Sequence, residues 1–87
     1  MANYKILIKL SAKKELEKLP KKDLQKIIVK IQDLSSDPRP IGSEKLSGDD
    51  KYRLRQGNYR IVYSIEDEQL IIFVVKIGHR RDIYRRR

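Results

Sequence analysis

The spacing of apolar residues changes twice along the chain, and these changes limit the fold more than any other feature. Near the N-terminus Tyr4, Ile6, Ile8 and Leu10 alternate with Lys5 and Lys9, which is the period of a half-buried strand. Residues 12–34 carry apolar side chains at helical spacing, and from Tyr52 to residue 75 the pattern is again that of strands. The order strand, two helices, three strands predicts a single α+β domain over residues 1–87. In this fold a two-helix hairpin packs on one face of a mostly antiparallel sheet.

Two helices are predicted between the alternating segments. Ser11 offers an N-cap oxygen for the first helix, and Pro20 ends it and opens the second. The second helix has one apolar stripe with lysines and acids beside it. The stripe consists of Leu24, Ile27, Ile28, Ile31 and Leu34. Four prolines and glycines punctuate residues 35–50, which are therefore predicted to be a loop.

The second half of the chain predicts a hairpin followed by a central strand. Gly57 and Asn58 suit a two-residue turn between strands at residues 52–55 and 59–65. Residues 70–75 are apolar without interruption, so we expect a strand covered on both faces. Gly78 is expected to break that strand.

The hairpin register predicts where three arginines point. With Gly57 and Asn58 as the turn, Arg55 faces Arg60 and Arg53 faces Val62, so the three guanidiniums share one face of the sheet. Opposed like charges destabilise a sheet, whereas a bound phosphate would offset their repulsion. The alternative is that the guanidiniums spread into solvent or are screened by nearby acids.

The basic residues are concentrated in two segments. The chain has 21 basic and 12 acidic residues, a formal net charge of +9. Residues 51–60 hold four basic residues and no acid, and residues 76–87 hold six against one acid. Such segments favour a polyanionic partner. Beside the arginines of the hairpin, the candidate RNA-binding residues are Lys51, Lys76, Arg81 and Arg85.

Several kinds of function are excluded by residues that the sequence lacks. Without cysteine and with one histidine, we expect neither a disulfide scaffold nor a metal site, and no cofactor. No glycine-rich phosphate loop is present. No apolar run is long enough for a membrane span and no secretory signal opens the chain, so we expect a cytoplasmic protein. A basic site with His79 and Tyr84 suits RNA cleavage through the RNA's own 2′-hydroxyl, in which cations stabilise the phosphorane.

Four segments together resemble the RelE branch of the RelE/ParE toxin superfamily. They are Lys45-Leu46-Ser47-Gly48, Tyr52-Arg53-Leu54-Arg55, the GNYRIVY segment from Gly57 and the IGHRRDIY segment from Ile77. The resemblance covers almost the whole chain. It implies the toxin of a type II toxin–antitoxin pair that enters the ribosomal A site and cuts mRNA without a metal. It also implies a cognate antitoxin as partner, and contact with operator DNA through that antitoxin.

The resemblance also implies roles for individual residues. Arg60 and Arg80 match arginines that hold the scissile phosphate, and Tyr84 matches a tyrosine that stacks on a base. Arg53 and Arg55 stand where well-known members carry two lysines. An arginine stabilises charge but shuttles protons poorly. His79 is therefore the candidate general acid, as it is in relatives with a histidine near the C-terminus. The general base is unassigned, although Glu44 in the loop is a suggestion.

Two other functions remain open on the same fold. A ParE-like toxin would poison DNA gyrase without a nuclease site. A chain without activity would act only with its antitoxin, as a repressor complex. Codon preference and the composition of the complex are not readable from the residues.

Overall fold

The computed structural model describes residues 3–46, 48 and 50–79. Strand β1 (Lys5–Ile8) is followed at once by helix α1 (Leu10–Glu17) and then by helix α2 (Lys21–Asp33). Four strands complete the described part of the chain: β2 (Glu44–Lys45), β3 (Lys51–Gln56), β4 (Tyr59–Glu66) and β5 (Ile71–His79). Among these residues no helix has the length and apolar character needed to cross a membrane.

The five strands form one sheet in the order β1-β5-β4-β3-β2. Every pairing is antiparallel except that of β1 with β5, which is parallel and matches Lys5 with Ile71 through Ile8 with Val74. The prediction of a mostly antiparallel sheet with two helices is therefore confirmed. A β-bulge between Val62 and Tyr63 shifts the pairing of β4 with β5.

The core lies between the helices and one face of the sheet, which we call the helix face. Helix α2 contributes Ile27 and Ile31, which are almost fully buried, and Leu34 follows directly after it. They pack with residues from three strands, and the sheet side of this core consists of Leu54, Ile61, Tyr63, Ile72, Val74 and Ile77. The predicted apolar stripe of the second helix is thus the face that α2 buries. The other face of the sheet is called the open face.

Three local predictions are wrong. Helix α1 begins at Leu10, its N-cap is Lys9 and no side chain caps it, so Ser11 lies inside the helix. Leu10 therefore belongs to α1 and not to the strand before it. Its side chain is 66% exposed. Residues 35–50 are not all loop, because Glu44 and Lys45 pair with Arg53 and Tyr52 as strand β2.

Strand β5 also differs from the prediction. It continues through Gly78 to His79, because both residues pair with the long strand β4. It is not covered on both faces either. Ile72 and Val74 are fully buried under the helices, whereas Phe73 between them is 39% exposed on the open face.

Candidate functional site

The β3–β4 hairpin divides its side chains between the two faces of the sheet. Gly57 has φ +61, a left-handed conformation that suits glycine, and with Asn58 it forms the turn. Arg55 then pairs with Arg60, Leu54 with Ile61 and Arg53 with Val62. This register is the one that the turn sequence predicts. Leu54 and Ile61 belong to the core on the helix face, so the three arginines of the hairpin lie on the open face.

The same three arginines line one cavity, which we call the arginine cavity. Its volume is about 450 Å³. The structure thus brings together Arg53, Arg55 and Arg60, as the sequence predicts. The lining residues are Lys30, Ile41, Gly42, Glu44, Arg53, Leu54, Arg55 and Arg60.

Arg60 is the most buried charged residue of the described chain. Only 4% of it is exposed, and its Nη1 donates a hydrogen bond of 3.2 Å to the carbonyl oxygen of Tyr59. A buried charge is costly unless it is paired and hydrogen-bonded. This hydrogen bond partly offsets the cost of burying Arg60, which lies at the wall of the arginine cavity.

Arg53 is paired with a carboxylate inside the cavity. Its Nη2 lies 2.6 Å from Oε1 of Glu44, which is the residue directly opposite on β2. The hydrogen bond and the charge of Arg53 lower the pKa of Glu44, and the charges of Arg55 and Arg60 add to that effect. All three arginine charges therefore act on the Glu44 carboxyl group, and with Lys30 the cationic side chains of the lining outnumber its one carboxylate.

Arg55 differs from the other two arginines. It is exposed and faces Arg60 across the hairpin. Within the part of the chain that the structure describes, its guanidinium has neither a hydrogen bond nor an ion pair. Its donors are therefore available to an anion that enters the cavity.

Two further predicted residues, Lys51 and Lys76, continue the basic surface along the open face. Lys51 precedes Arg53 by two positions on β3, and Lys76 pairs with Val62 on β5. Both line a separate cavity of about 500 Å³ at the side of α1. The basic residues of the sheet thus extend beyond the arginine cavity.

The structure places His79 away from the arginines. His79 pairs with Tyr59, so its side chain is on the helix face, where the two rings meet edge to face at 5.6 Å. The Tyr59 hydroxyl donates to Asp23 of α2 at 3.2 Å. His79, Tyr59 and Asp23 line a cavity of about 220 Å³ beside the hairpin turn. Four other predicted site residues lie outside the described residues: Arg80, Arg81, Tyr84 and Arg85.

The loop after α2 forms one wall of the arginine cavity through Ile41 and Gly42. Two contacts with other parts of the chain hold this loop in place. The buried hydroxyl of Tyr63 donates to the carbonyl oxygen of Pro38 at 2.8 Å, and burial raises the pKa of Tyr63 to about 12. Arg39 binds Asp67 of the β4–β5 turn at 2.9 Å. These contacts join residues distant in sequence, so local patterns do not predict them.

Sequence reasoning also missed Lys30 as a lining residue. It lies beside the apolar stripe of α2, and the helical period alone predicts only a solvated lysine. Its place in the cavity depends on how α2 packs across the edge of β3, which no short-range pattern encodes.

Comparison with known proteins assigns the chain to a family. Residues 6–84 match the sequence model of the ParE toxin of type II toxin–antitoxin systems. This chain belongs to the RelE/ParE toxin family. It is 33% identical over 87 residues to toxin RelG of Mycobacterium tuberculosis, an alignment that covers 95% of this chain and 98% of RelG. It is 35% identical over 72 residues to the mRNA interferase toxin RelE of Escherichia coli strain K12, covering 79% of this chain and 75% of that toxin.

Solved structures agree with this family assignment. The toxin–antitoxin complex RelBE2 of M. tuberculosis contains a chain that superposes with a TM-score of 0.82 at 27% identity, covering 91% of this chain and 93% of that one. The fold and the family expected from the four sequence segments are thereby confirmed. Two of the RelE-type relatives are named mRNA interferases.

Proposed function

We propose that this protein is the toxin of a type II toxin–antitoxin pair and that it cleaves mRNA on the ribosome. The observation that carries the proposal is the convergence of Arg53, Arg55 and Arg60 in one cavity at the β3 edge of the sheet. An arginine fork matches the oxygens of a phosphate. Three such groups at one site would hold an RNA phosphate and stabilise the extra charge that it gains during cleavage.

The proposed reaction uses the 2′-hydroxyl of the RNA as nucleophile, with arginines in place of a metal ion. The buried Arg60 would anchor the scissile phosphate, and the exposed Arg55 would close on it from the facing strand. Arg53 already binds a carboxylate oxygen of Glu44, so a phosphate oxygen would take over part of that contact. The products would be a 2′,3′-cyclic phosphate and a 5′-hydroxyl end.

The remaining predicted residues are assigned as part of the same proposal. Lys51 and Lys76 would bind the RNA backbone beside the cavity, since both lie on the open face. The roles predicted for Arg80, Arg81, Tyr84 and Arg85 stay predictions. The proton-donor role of His79 also stays a prediction, and its ring contacts Tyr59 on the helix face.

A cognate antitoxin is the proposed protein partner. Structural neighbours of this chain include the intact RelBE toxin–antitoxin complex of E. coli, which matches at a TM-score of 0.76 and 30% identity. We expect this chain to be held inactive by such a partner in the cytoplasm and to contact operator DNA only through it.

Mapping of RNA ends after induction tests the proposal. The chain is expressed without antitoxin, and RNA 5′ ends are sequenced by a method that captures 5′-hydroxyls. We expect new ends inside ribosome-bound codons within minutes, and their loss in Arg55→Gln. The matched control is Lys14→Gln on α1, which lies away from the cavity. On purified programmed ribosomes, a 2′-O-methyl group at the cut nucleotide should abolish cleavage there.

Two outcomes would contradict the proposal in different ways. The matching family description names ParE, which favours a gyrase poison as the second candidate. Intact mRNA together with a DNA-damage response would support that second function. Unimpaired growth with intact mRNA would support a chain that acts only in a repressor complex.

A further inference from the structure

The proposed cleavage needs a proton donor that arginines do not supply. When the bond between phosphorus and the 5′-oxygen breaks, that oxygen must gain a proton. A guanidinium stays protonated under ordinary conditions and is a poor donor. Among the described residues that line the arginine cavity, only Lys30 and Glu44 carry groups of the kind that exchange protons.

Glu44 is suited to accept a proton rather than to donate one. The hydrogen bond from Arg53 and the charges of Arg55 and Arg60 lower the pKa of its carboxyl group. The group is therefore deprotonated near neutral pH. Among the described residues that line the arginine cavity, the Lys30 ammonium group is therefore the candidate proton donor.

The position of Lys30 is fixed by the packing of α2. Its neighbour Ile31 and Ile27, one turn earlier, are buried in the core, with 3% and 0% exposure. Lys30 lies at the flank of this buried stripe and is itself half-buried. Strand β2 pairs only with Tyr52 and Arg53, so β3 has no strand beside it from Leu54 onward. Lys30 of α2 lines the arginine cavity together with this part of β3.

The ammonium group of Lys30 is also available. Within the residues that the structure describes, no carboxylate, carbonyl or hydroxyl pairs with it. Long charged side chains lose conformational entropy when half-buried, and without a partner that cost is not offset. An unpaired, half-buried ammonium at the wall of a cavity with three arginines is therefore better explained by a ligand than by stability.

We propose that Lys30 is the catalytic residue that protonates the 5′-oxygen, an inference that rests on the proposed function. The 2′-oxygen attacks phosphorus, and its proton passes to bulk water, to which the cavity is open. The new bond joins phosphorus to the 2′-oxygen, and the bond to the 5′-oxygen breaks. That oxygen takes a proton from Nζ of Lys30, which is then reprotonated by water.

The test replaces the leaving oxygen by sulfur. Ribosomes are programmed with synthetic mRNA that carries, at the cut linkage, either the natural 5′-oxygen or a bridging 5′-sulfur. A thiolate is a good leaving group and does not need a proton donor. We expect Lys30→Gln to cut the oxygen substrate about 10²- to 10⁴-fold more slowly than wild type and the sulfur substrate within about threefold. Lys30→Arg should behave like Lys30→Gln, because it keeps the charge but not the donor.

Two controls complete the design. Lys22→Gln, about two turns earlier on the same helix and outside both the arginine cavity and the His79 cavity, should cut both substrates like wild type. His79→Ala is measured in parallel, since the sequence predicts it to be the donor. Activity of each variant on the sulfur substrate shows that it is folded.

The outcomes separate the alternatives. If Lys30→Gln slows both substrates equally, or if Lys30→Arg is fully active, Lys30 acts only as a charge and the inference is overturned. If His79→Ala alone shows the oxygen-specific defect, His79 is the donor and the inference is again overturned. Wild-type protein that leaves both mRNAs uncut overturns the proposed function itself.

Discussion

The two faces of the β3–β4 hairpin use the same strands for opposite purposes. On the helix face, Leu54, Ile61 and Tyr63 are buried to within 2% under the helices. On the open face, Arg53 and Arg55 flank Leu54 on β3 and Arg60 precedes Ile61 on β4, so that Arg55 faces Arg60. Because side chains alternate, one turn at Gly57 fixes both sets at once. Burial on the helix face stabilises the hairpin and so offsets the repulsion between the arginines on its open face.

The largest expected effect concerns anion binding by the open face. In the triple variant Arg53→Gln, Arg55→Gln, Arg60→Gln, three phosphate contacts are lost. The slope of log affinity against log salt should fall by about 2, since single strands release roughly 0.7 counterions per contact. The measurement is fluorescence anisotropy with a short 2′-O-methyl RNA at several salt concentrations.

The control variant for this prediction also loses three positive charges, but at positions outside the arginine cavity. Lys13, Lys14 and Lys18 are exposed on or just after α1, and their triple change to glutamine removes three charges outside the arginine cavity. This control should keep most of the slope. Equal slopes in the two triple variants would mean that the net charge, and not the cavity, binds RNA.

A smaller effect is expected on the helix face. Tyr63→Phe removes the hydroxyl that donates to the Pro38 carbonyl, so the free energy of unfolding should fall by about 1 kcal/mol near neutral pH. Burial raises the pKa of Tyr63 to about 12, above the ordinary value of 10.0. Between these values the unfolded chain loses the phenol proton first, so wild-type stability should decline as pH rises through this interval.

Urea unfolding of both proteins at pH 9 and at pH 11 checks this prediction. The phenyl ring that replaces the Tyr63 side chain cannot titrate, so the stability difference between wild type and Tyr63→Phe should shrink at the higher pH. Tyr63 is the single residue that differs between the two proteins, so the comparison isolates its phenol. A difference that stays constant with pH would mean that the Tyr63 phenol is not protected by the fold.

The smallest expected effect has the opposite sign. Arg55→Gln removes one of two opposed like charges and should raise the free energy of unfolding by a few tenths of a kcal/mol, ~0.2–0.5. The measurement is urea unfolding at low salt, where the repulsion is strongest. A loss of stability in Arg55→Gln would show that the paired arginines do not repel each other in the folded chain.

The sequence predicted those parts of the molecule that depend on short-range patterns. The turn at Gly57 and Asn58 fixes the hairpin register, so the meeting of Arg55 with Arg60 could be predicted from the residues alone. The buried stripe of α2 follows from its helical period. The family assignment also rests on local segments.

What the sequence did not predict depends on contacts between distant segments. Strand β2 has two residues, too few for a period to be visible, and it exists because Glu44 pairs with Arg53. His79 was expected beside the arginines, but whether it shares their face depends on the pairing of β5 with β4. Lys30 reaches the cavity through the packing of α2 on β3, for which a single helix carries no signal.

The parallel pairing of β1 with β5 has a consequence for the order in which the chain folds. In the described sheet, the first strand to be synthesised pairs only with the last, which begins 66 residues after it (from Lys5 to Ile71). Chains are made from the N-terminus, and contacts between distant residues are the slowest to form. Both helices and the β3–β4 hairpin are therefore synthesised before β1 can pair with β5. A growing chain cannot complete this sheet, so a toxin of this topology reaches its finished shape only after the ribosome that makes it has released β5.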